Sequence, residues 1–258
     1  MMDQALVYEG LSGLSLERIY VFPEVDSTND EAKRRLQGRR SVLVLAERQR
    51  RGRGRQGQRW ESPPGGLWFS LGFRERNVKN IPLLSLLAGA ATAQGLRESG
   101  FAARIKWPND ILISDRKVAG ILVEMEAEGP GSSIVIGIGI NVNIAEEELQ
   151  KRLGPAGVQV GTLMAIAGHP LDRVAILLQV LQRFFPLWRS WKEGRVEPIL
   201  QSWKGLSLTL NERVLIIAAG RRIEGTAVGL DHNGALLVRT ADGRLQRVTE
   251  GHLIHLVL

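Results

Sequence analysis

The chain has 258 residues, of which 44% are hydrophobic and 24% charged, and its formal net charge is +7. These values are typical of a soluble globular protein, and the length suits one large domain with a small one. The absence of cysteine excludes disulfides, thiolate metal sites and cysteine nucleophiles. No apolar run reaches the roughly 20 residues that span a bilayer, and the start lacks a signal-peptide pattern, so we expect a cytoplasmic protein without membrane partners. The basic balance favours anionic partners such as nucleotides, acidic proteins or nucleic acid.

The first part of the chain alternates between strand and helix patterns. We predict a lead-in, a strand, a helix and a buried strand over residues 1–15, 16–22, 27–37 and 41–46. Ser27 or Thr28 is the expected N-cap of the helix, and Gly38 ends it. The same hydroxyl groups stand where a strand meets a helix, so they have two interpretations, a helix cap or contacts to the polar head of a ligand.

An arginine-rich stretch, Arg48 to Trp60, follows the buried strand and contains six arginines and three glycines. Glycine allows the backbone to approach a ligand closely, and guanidinium groups bind carboxylate or phosphate in bidentate fashion. The stretch therefore predicts an anion-binding loop, with Arg53 and Arg55 as its central cations. Two alternatives are a disordered nucleic-acid-binding segment and a solvated charge run.

The middle of the chain predicts a helix packed on an antiparallel meander. We expect strands over residues 67–73, 101–106, 111–114, 117–125 and 133–143, with a helix over 82–99. In the last strand, alternation places Gly137, Gly139, Asn141 and Asn143 on one face and four branched aliphatic residues on the other. We interpret the glycine face as the floor of a ligand site rather than a bend or bulge.

The last third predicts helices and then a small β-barrel. We expect a polar helix, a linker, a long helix interrupted or kinked near Pro186 and a further helix over residues 145–153, 154–157, 170–194 and 196–204. Trp188, Trp191 and Trp203 have helical spacing among aliphatic residues and are expected in the core. From residue 206 the pattern changes to short strands and turns, which gives domains of residues 1–205 and 206–258. The four histidines lack companions at metal-ligand spacing, so structural or surface roles are expected.

Four motifs in order resemble those of the biotin protein ligases: GRGRQGQRW at 52–60, KWPND at 106–110, KVAGILVE at 117–124 and GIGIN at 137–141. The resemblance implies an α+β fold, in which a mixed, largely antiparallel sheet is flanked by helices as in class II aminoacyl-tRNA synthetases, with a small C-terminal SH3-like β-barrel. It implies the short type of ligase, because only about 15 residues precede the first strand, too few for an N-terminal DNA-binding domain. A lipoate protein ligase of the same fold is the nearest alternative.

The resemblance also implies an activity and its residues. Biotin and ATP would form biotinyl-5′-AMP, and a lysine of the biotin carboxyl carrier protein would take the biotinyl group. Because a carboxylate must attack a phosphate, cations are required. The implied catalytic residues are Lys106, Arg55, Lys117 and Asp110. The implied biotin-binding residues are Ser27, Thr28, Asn29, Gln49, Gly52, Arg53, Gly54, Arg55, Lys106, Gly120 and Gly139. The implied ATP or adenylate residues are Arg53, Arg55, Trp60, Lys106, Asn109, Lys117 and Asn141.

Mg²⁺ is expected with ATP, with Asp110 as the one protein group suggested near it. DNA is not an expected partner, and a monomer and a homodimer both remain open. A nucleic-acid-binding module stays the alternative from another class, although its stacking aromatics are missing between Arg48 and Arg59.

Overall fold

A computed structural model describes residues 4–11, 13, 16–76, 78, 80–128, 131–153, 159–218 and 220–256. Its larger sheet has seven strands in the order β1-β2-β3-β7-β6-β5-β4. Only the β1–β2 pair is parallel among the described strands, and the other neighbours are antiparallel. The strands are β1 Arg18–Phe22, β2 Ser41–Ala46, β3 Leu67–Glu75, β4 Arg104–Lys106, β5 Asp110–Ile113, β6 Arg116–Glu128 and β7 Gly131–Ile140. The predicted meander is therefore confirmed.

Helices pack on this sheet and share the core with its strands. They are α1 Gln4–Leu11, α2 Thr28–Leu36, α3 Pro82–Glu98, α4 Glu146–Leu153, α5 Leu163–Ala167, α6 Arg173–Lys192 and α7 Glu197–Lys204. The small residues of α3 allow close helix packing, since a Cβ on Gly95 would lie 2.6 Å from the backbone nitrogen of Val180 in α6. Trp188, Trp191 and Trp203 are all buried, as expected from their spacing. Among the described residues, no helix combines the length and apolarity of a membrane span.

A second sheet follows the helices and has five antiparallel strands in the order β11-β10-β9-β8-β12. They are β8 Arg213–Ala218, β9 Arg221–Leu230, β10 Leu236–Arg239, β11 Leu245–Val248 and β12 His252–His255. The segment that leads into this C-terminal sheet is hydrogen-bonded to β4. Leu208 N donates to Ile105 O and Ile105 N donates to Leu206 O, each at 2.8 Å. The two sheets are thus joined at a strand of the larger one.

Several boundaries differ from the predictions. Residues 4–11, predicted to be part of a lead-in, form the helix α1, because Val7 and Leu11 are buried against the core. The short helix α5 was not predicted, and α6 runs through Pro186 as one continuous helix. Strand β7 ends at Ile140 rather than at residue 143, because its neighbour β3 begins opposite it at Leu67. The predicted linker at 154–157 lies outside the described residues.

A buried ion pair fixes the end of β2 to the start of α6. The Arg173 guanidinium donates to both carboxylate oxygens of Glu47, at 2.9 and 3.1 Å, and also to Gly66 O at 3.0 Å. The two side chains are only 13% and 11% exposed. This bidentate geometry satisfies both charges and holds the loop that precedes β3.

Candidate functional site

A cavity of about 190 Å³ lies where the large sheet, the arginine-rich loop and the C-terminal sheet meet. Most of the residues singled out from sequence line it, namely Ser27, Thr28, Asn29, Gln49, Arg53, Gly54, Arg55, Trp60, Lys106, Asn109, Asp110, Lys117, Gly120 and Gly139. Of the described residues that were predicted to bind a ligand, Gly52 and Asn141 lie outside the lining. The motifs converge because they occupy one cross-strand row, in which Lys106 pairs with Asp110, Asp110 with Gly120, and Gly120 with Gly139.

One end of the cavity is lined by hydroxyl and amide groups. Both the backbone N–H and the hydroxyl of Thr28 donate to Gln49 Oε1, at 2.8 and 3.0 Å, and Gln49 Nε2 donates to Ser62 Oγ at 2.8 Å. Ser27 is the residue before α2, yet its side chain makes no capping hydrogen bond to any described residue. These groups present donors and acceptors without net charge, which suits a neutral polar ligand head.

Arg53 is engaged by the protein's own carboxylates. Its guanidinium donates to both oxygens of Asp30, at 2.6 and 2.7 Å, and one of its nitrogens lies 3.2 Å from Glu124 Oε1. The hydrogen bond to Asp30 is the main reason that the pKa of Arg53 is raised, and the reciprocal bond from Arg53 lowers the pKa of Asp30. Arg53 is predicted from sequence to bind a ligand anion, whereas here its charge is balanced by carboxylates of α2 and β6.

The neighbouring arginines are balanced in the same way. Ion pairs join Arg48 to Glu24, Arg50 to Asp26 and Arg59 to Glu61, at 3.3, 2.8 and 2.6 Å. These carboxylates reduce the positive charge that the loop would present to a nucleic-acid backbone, so the geometry does not favour that alternative.

The other end of the cavity is cationic. Lys106 and Arg55 are half-buried, and this burial lowers the pKa of each group. The pKa of Lys106 is lowered further by the nearby Lys117 and raised by Asp110, whose carboxylate lies 2.7 Å from Lys117 Nζ. Cations that are partly shielded from water interact more strongly with an arriving anion than fully exposed cations do. This end therefore suits phosphate or carboxylate groups.

Trp60 occupies the glycine floor. A Cβ on Gly139 would lie 2.5 Å from Trp60 Nε1, and one on Gly120 would lie 3.1 Å from the same ring. Lys117 Nζ lies 5.2 Å from the centroid of the Trp60 ring, within cation–π range. The two glycines thus form a floor as predicted, but the floor receives the indole of Trp60 directly rather than open ligand volume.

The two asparagines at the end of the predicted floor have other contacts. Asn141 is buried and its side chain donates to Gly161 O at 3.1 Å. Asn143 exchanges two hydrogen bonds of 2.8 Å with the backbone of Leu171. Because β7 ends at Ile140, strand alternation no longer applies to these positions, and their amides hold backbone instead of facing the cavity.

Sequence reasoning missed the contribution of the C-terminal sheet. Gly251, His252 and Leu253 line the cavity, and Arg55 Nη1 lies 3.4 Å from both Gly251 O and Asn109 Oδ1. His252 was expected in a structural or surface role, yet it borders the site. Arg55 and Gly251 are almost 200 residues apart, and a contact over that distance leaves no local pattern in a single sequence. The sequence therefore carried no signal that could have predicted it.

The lining does not form a preassembled metal site. Among the described residues no group of three His, Cys, Asp or Glu side chains is placed to hold a metal ion. Asp110 and Asp115 are the carboxylates in the lining, and Asp110 is paired with Lys117. Mg²⁺ commonly binds to one or two carboxylates together with substrate phosphates and water. The residues therefore fit an ion that arrives with phosphate.

Comparison with protein families gives two matches. The family described as biotin/lipoate A/B protein ligase matches residues 21–141, and the biotin protein ligase C-terminal domain matches residues 209–255. The first match contains most of the cavity-lining residues, and the second covers the C-terminal sheet.

Individual relatives agree with these matches. The biotin–[acetyl-CoA-carboxylase] ligase of Paracoccus denitrificans is 34% identical over 225 residues, which cover 85% of this chain and 93% of that protein. The bifunctional ligase/repressor BirA of Bacillus subtilis is 34% identical over 220 residues, and the aligned part spans 78% of this chain but only 62% of that protein's length. A solved structure of the Aquifex aeolicus biotin protein ligase in complex with biotin and ATP has a TM-score of 0.76 and 30% identity, covering 93% of this chain and 99% of that one.

Proposed function

The chain belongs to the biotin protein ligase family, and we propose that it activates biotin with ATP to biotinyl-5′-AMP and then biotinylates a lysine of a carrier protein. The carrier in this proposal is the biotin carboxyl carrier protein of acetyl-CoA carboxylase or of a related carboxylase. The observation that carries it is a single cavity with uncharged polar groups at one end and Lys106, Lys117 and Arg55 at the other. That polarity matches a ligand with a ureido ring at one end and a carboxylate at the other.

The proposed roles follow the two ends of the cavity. Ser27, Thr28, Asn29 and Gln49 would contact the ureido ring, whose N–H and C=O groups need acceptors and donors. The ring of Trp60, with the glycine floor beneath it, would form the wall beside the adenylate. Because Arg53 is paired with Asp30 and Glu124, we assign it to holding the loop closed over biotin rather than to binding phosphate.

The first chemical step joins two anions. A biotin carboxylate oxygen would form a bond to the α-phosphorus of ATP while the bond from that phosphorus to pyrophosphate breaks. Lys106 would stabilise the charge that develops between the carboxylate and the α-phosphate, and Lys117 would hold phosphate after leaving its ion pair with Asp110. Mg²⁺ bound to the phosphates would neutralise further negative charge.

In the second step the neutral amine of the carrier lysine would attack the biotinyl carbonyl, and AMP would leave. Asp110, released from Lys117, would accept the proton of the attacking amine. The proposal includes a cytoplasmic location, on the sequence grounds given above. It involves no DNA, and it holds for a monomer or a homodimer.

The direct test is an assay of pyrophosphate release. We expect release when the protein is mixed with ATP, Mg²⁺ and biotin, and much less when lipoic acid replaces biotin. Lipoic acid has a carboxylate on a similar aliphatic chain but lacks the ureido ring, so it isolates recognition at the uncharged end. Equal or greater release with lipoic acid would reassign the enzyme to the lipoate branch, and no release with either acid would reject the proposal.

Replacing Gly139 with valine is expected to abolish measurable biotinyl-AMP binding while the protein remains folded. The new side chain would occupy the position of the Trp60 indole, since even a Cβ would lie 2.5 Å from Nε1. Calorimetric titration with a non-hydrolysable biotinyl-AMP analogue checks this result. Gly89→Ala in α3 is the control, because its Cβ would make only an ordinary 3.8 Å contact with the Ile105 side chain and should leave binding unchanged. Unaltered affinity in the valine variant would show that Trp60 and its floor are not part of the ligand site.

Replacing Arg55 with glycine is expected to produce an enzyme that makes biotinyl-AMP but releases it. Arg55 joins the arginine-rich loop to Asn109 and to the C-terminal sheet across the cavity. Loss of one charged hydrogen-bonding group weakens retention by about 1.5–3 kcal/mol, or roughly ten- to a hundredfold in escape rate. Released adenylate would acylate exposed lysines, so a streptavidin blot should show labelling of added albumin. Arg51→Gly in the same loop, outside the lining, is the control. If the variant forms the adenylate but the added albumin stays unlabelled, Arg55 does not retain the adenylate in the cavity.

A further inference from the structure

Glu124 lies behind the uncharged end of the cavity, on β6, and does not belong to its described lining. One carboxylate oxygen, Oε2, accepts a hydrogen bond of 2.7 Å from Asn29 Nδ2. The other, Oε1, lies 3.2 Å from an Arg53 guanidinium nitrogen. Glu124 therefore contacts both a cavity-lining amide and the loop that covers the cavity, without contacting the cavity itself.

This carboxylate determines how the Asn29 amide is oriented. An ionised carboxylate only accepts hydrogen bonds, so the NH₂ end of Asn29 must point toward Glu124. The oxygen end then lies 2.6 Å from the hydroxyl of Ser70, whose one proton is within donating distance of both Asn29 Oδ1 and Thr28 Oγ1. Gly137 leaves room for this arrangement, because a Cβ there would lie 2.2 Å from Asn29 Oδ1. The Asn29 amide is thus hydrogen-bonded at both ends and packs closely on Gly137.

Asn29 retains hydrogen-bonding capacity after these contacts. An amide nitrogen has two hydrogens and an amide oxygen has two lone pairs, and the contacts with Glu124 and Ser70 use one of each. The side chain is almost fully buried, with 4% of the residue exposed, and lines the cavity. A ureido ring also offers both donors and an acceptor, so which end of Asn29 faces which part of the ring decides whether the contact is favourable.

We propose that Glu124 is a positioning residue for biotin, which it serves by fixing the orientation of the Asn29 amide for recognition of the ureido ring; this rests on the proposed function. The hold on the loop is shared, because Asp30 binds Arg53 through two shorter hydrogen bonds of its own. Lys33, the other cation near Glu124, lies 3.9 Å away and is 2.5 Å from Glu126. Arg53 and Lys33 each have another carboxylate partner, so the hydrogen bond to Asn29 is the contact that Glu124 does not share with another carboxylate.

The isosteric change Glu124→Gln tests the proposal. A glutamine amide both donates and accepts, so it no longer distinguishes the two ends of Asn29. We expect the dissociation constant for biotin to rise by about tenfold or more, the lower end of the effect of losing one hydrogen bond to a charged group. The KM for biotin should rise in parallel, whereas the KM for ATP and kcat at saturating biotin should stay within about twofold, because ATP binding and the reacting atoms lie at the other end of the cavity.

Two further variants separate this role from alternatives. Glu126→Gln changes a carboxylate on the same strand that pairs with Lys33 and contacts neither Asn29 nor Arg53 among the interactions of the described residues. It should leave biotin binding unchanged. Ser70→Ala removes the contact at the other end of the same amide, together with a 2.7 Å contact to Thr28 Oγ1, and should also weaken biotin binding. It serves as the second variant if Glu124→Gln lowers the melting temperature sharply.

The outcomes are distinguishable. If the parent enzyme itself fails to bind biotin in the calorimeter, the proposed function is rejected. If the parent binds but Glu124→Gln and Ser70→Ala bind biotin within about twofold of it, the positioning role is rejected and the proposed function stands. If Asp30→Asn, which removes the carboxylate that binds Arg53 through two hydrogen bonds, reproduces the full effect of Glu124→Gln, the effect passes through the loop and the orientation of Asn29 is not the cause.

Discussion

Replacing Lys106 with alanine is expected to slow adenylate formation by about a hundredfold or more. Removal of one preorganised charge donor from a site where negative charge develops costs about 3 kcal/mol in the barrier, and in the proposed reaction two anions would meet at this position. Lys106 is half-buried at the end of β4, so water does not readily replace its ammonium group. Single-turnover measurement of biotinyl-AMP formation at saturating biotin and ATP reports this barrier directly.

The comparison variant for this experiment is Lys192→Ala. Lys192 is a surface lysine of α6 that pairs with Glu75 at 2.8 Å and is 47% exposed. The Lys192→Ala substitution removes the same charge from the protein without changing the cavity, so adenylate formation should match that of the parent. If Lys106→Ala turns over as fast as Lys192→Ala, the chemical centre lies elsewhere in the cavity.

Replacing Glu47 with glutamine is expected to lower the free energy of unfolding by about 3–5 kcal/mol, the cost of leaving one member of a buried pair without its partner charge. Arg173 would keep its full charge, 13% exposed, next to an amide that offers only one acceptor oxygen. For a chain of this size each kcal/mol lowers Tm by about 2–4 °C. Thermal and urea unfolding of the parent and the variant measure the effect.

Glu148→Gln provides the reference for this stability experiment. Glu148 pairs with Arg152 one turn along α4, and both side chains are largely exposed, at 51% and 41%. Exposed pairs of this kind contribute about 0.3–0.5 kcal/mol, so this variant should unfold almost as the parent does. A loss of less than about 1 kcal/mol in Glu47→Gln would mean that the buried pair is no stronger than a surface pair.

Local patterns predicted most of the larger sheet and its helices. The apolar run at Ser41–Ala46 forms a strand buried along its whole length, and α3 spans Pro82–Glu98, one residue short of the prediction. Both signals are short-range, because alternation and helical spacing follow from backbone geometry alone. The end of β7 did not follow from its pattern, because it coincides with the start of its neighbour β3 at Leu67, more than 60 residues away.

In the site, too, residue type and order predicted some features, whereas contacts between distant residues could not be predicted. The motifs that carry Arg55, Lys106 and Lys117 were identified from residue type and order, and all three residues line one cavity. The carboxylates that neutralise Arg53 were not identified, because Asp30 and Glu124 lie 23 and 71 positions away from it in the chain. An arginine that binds a ligand and an arginine that binds its own protein have the same sequence signature. Only the three-dimensional pairing separates them.

The hydrogen bonds between β4 and the segment leading into the C-terminal sheet should link substrate binding to the separation of the two sheets. Ile105, the residue before Lys106, bonds to Leu206 and Leu208 on this side and pairs with Ile111 of β5 on the other. The amide proton of Leu208 is therefore sheltered from hydrogen exchange only while the two sheets stay together. Any ligand that binds across both sheets stabilises this junction by mass action, in proportion to the logarithm of its concentration above its dissociation constant. Substrate occupancy should consequently appear as slower exchange at Leu208, a backbone amide outside the cavity lining.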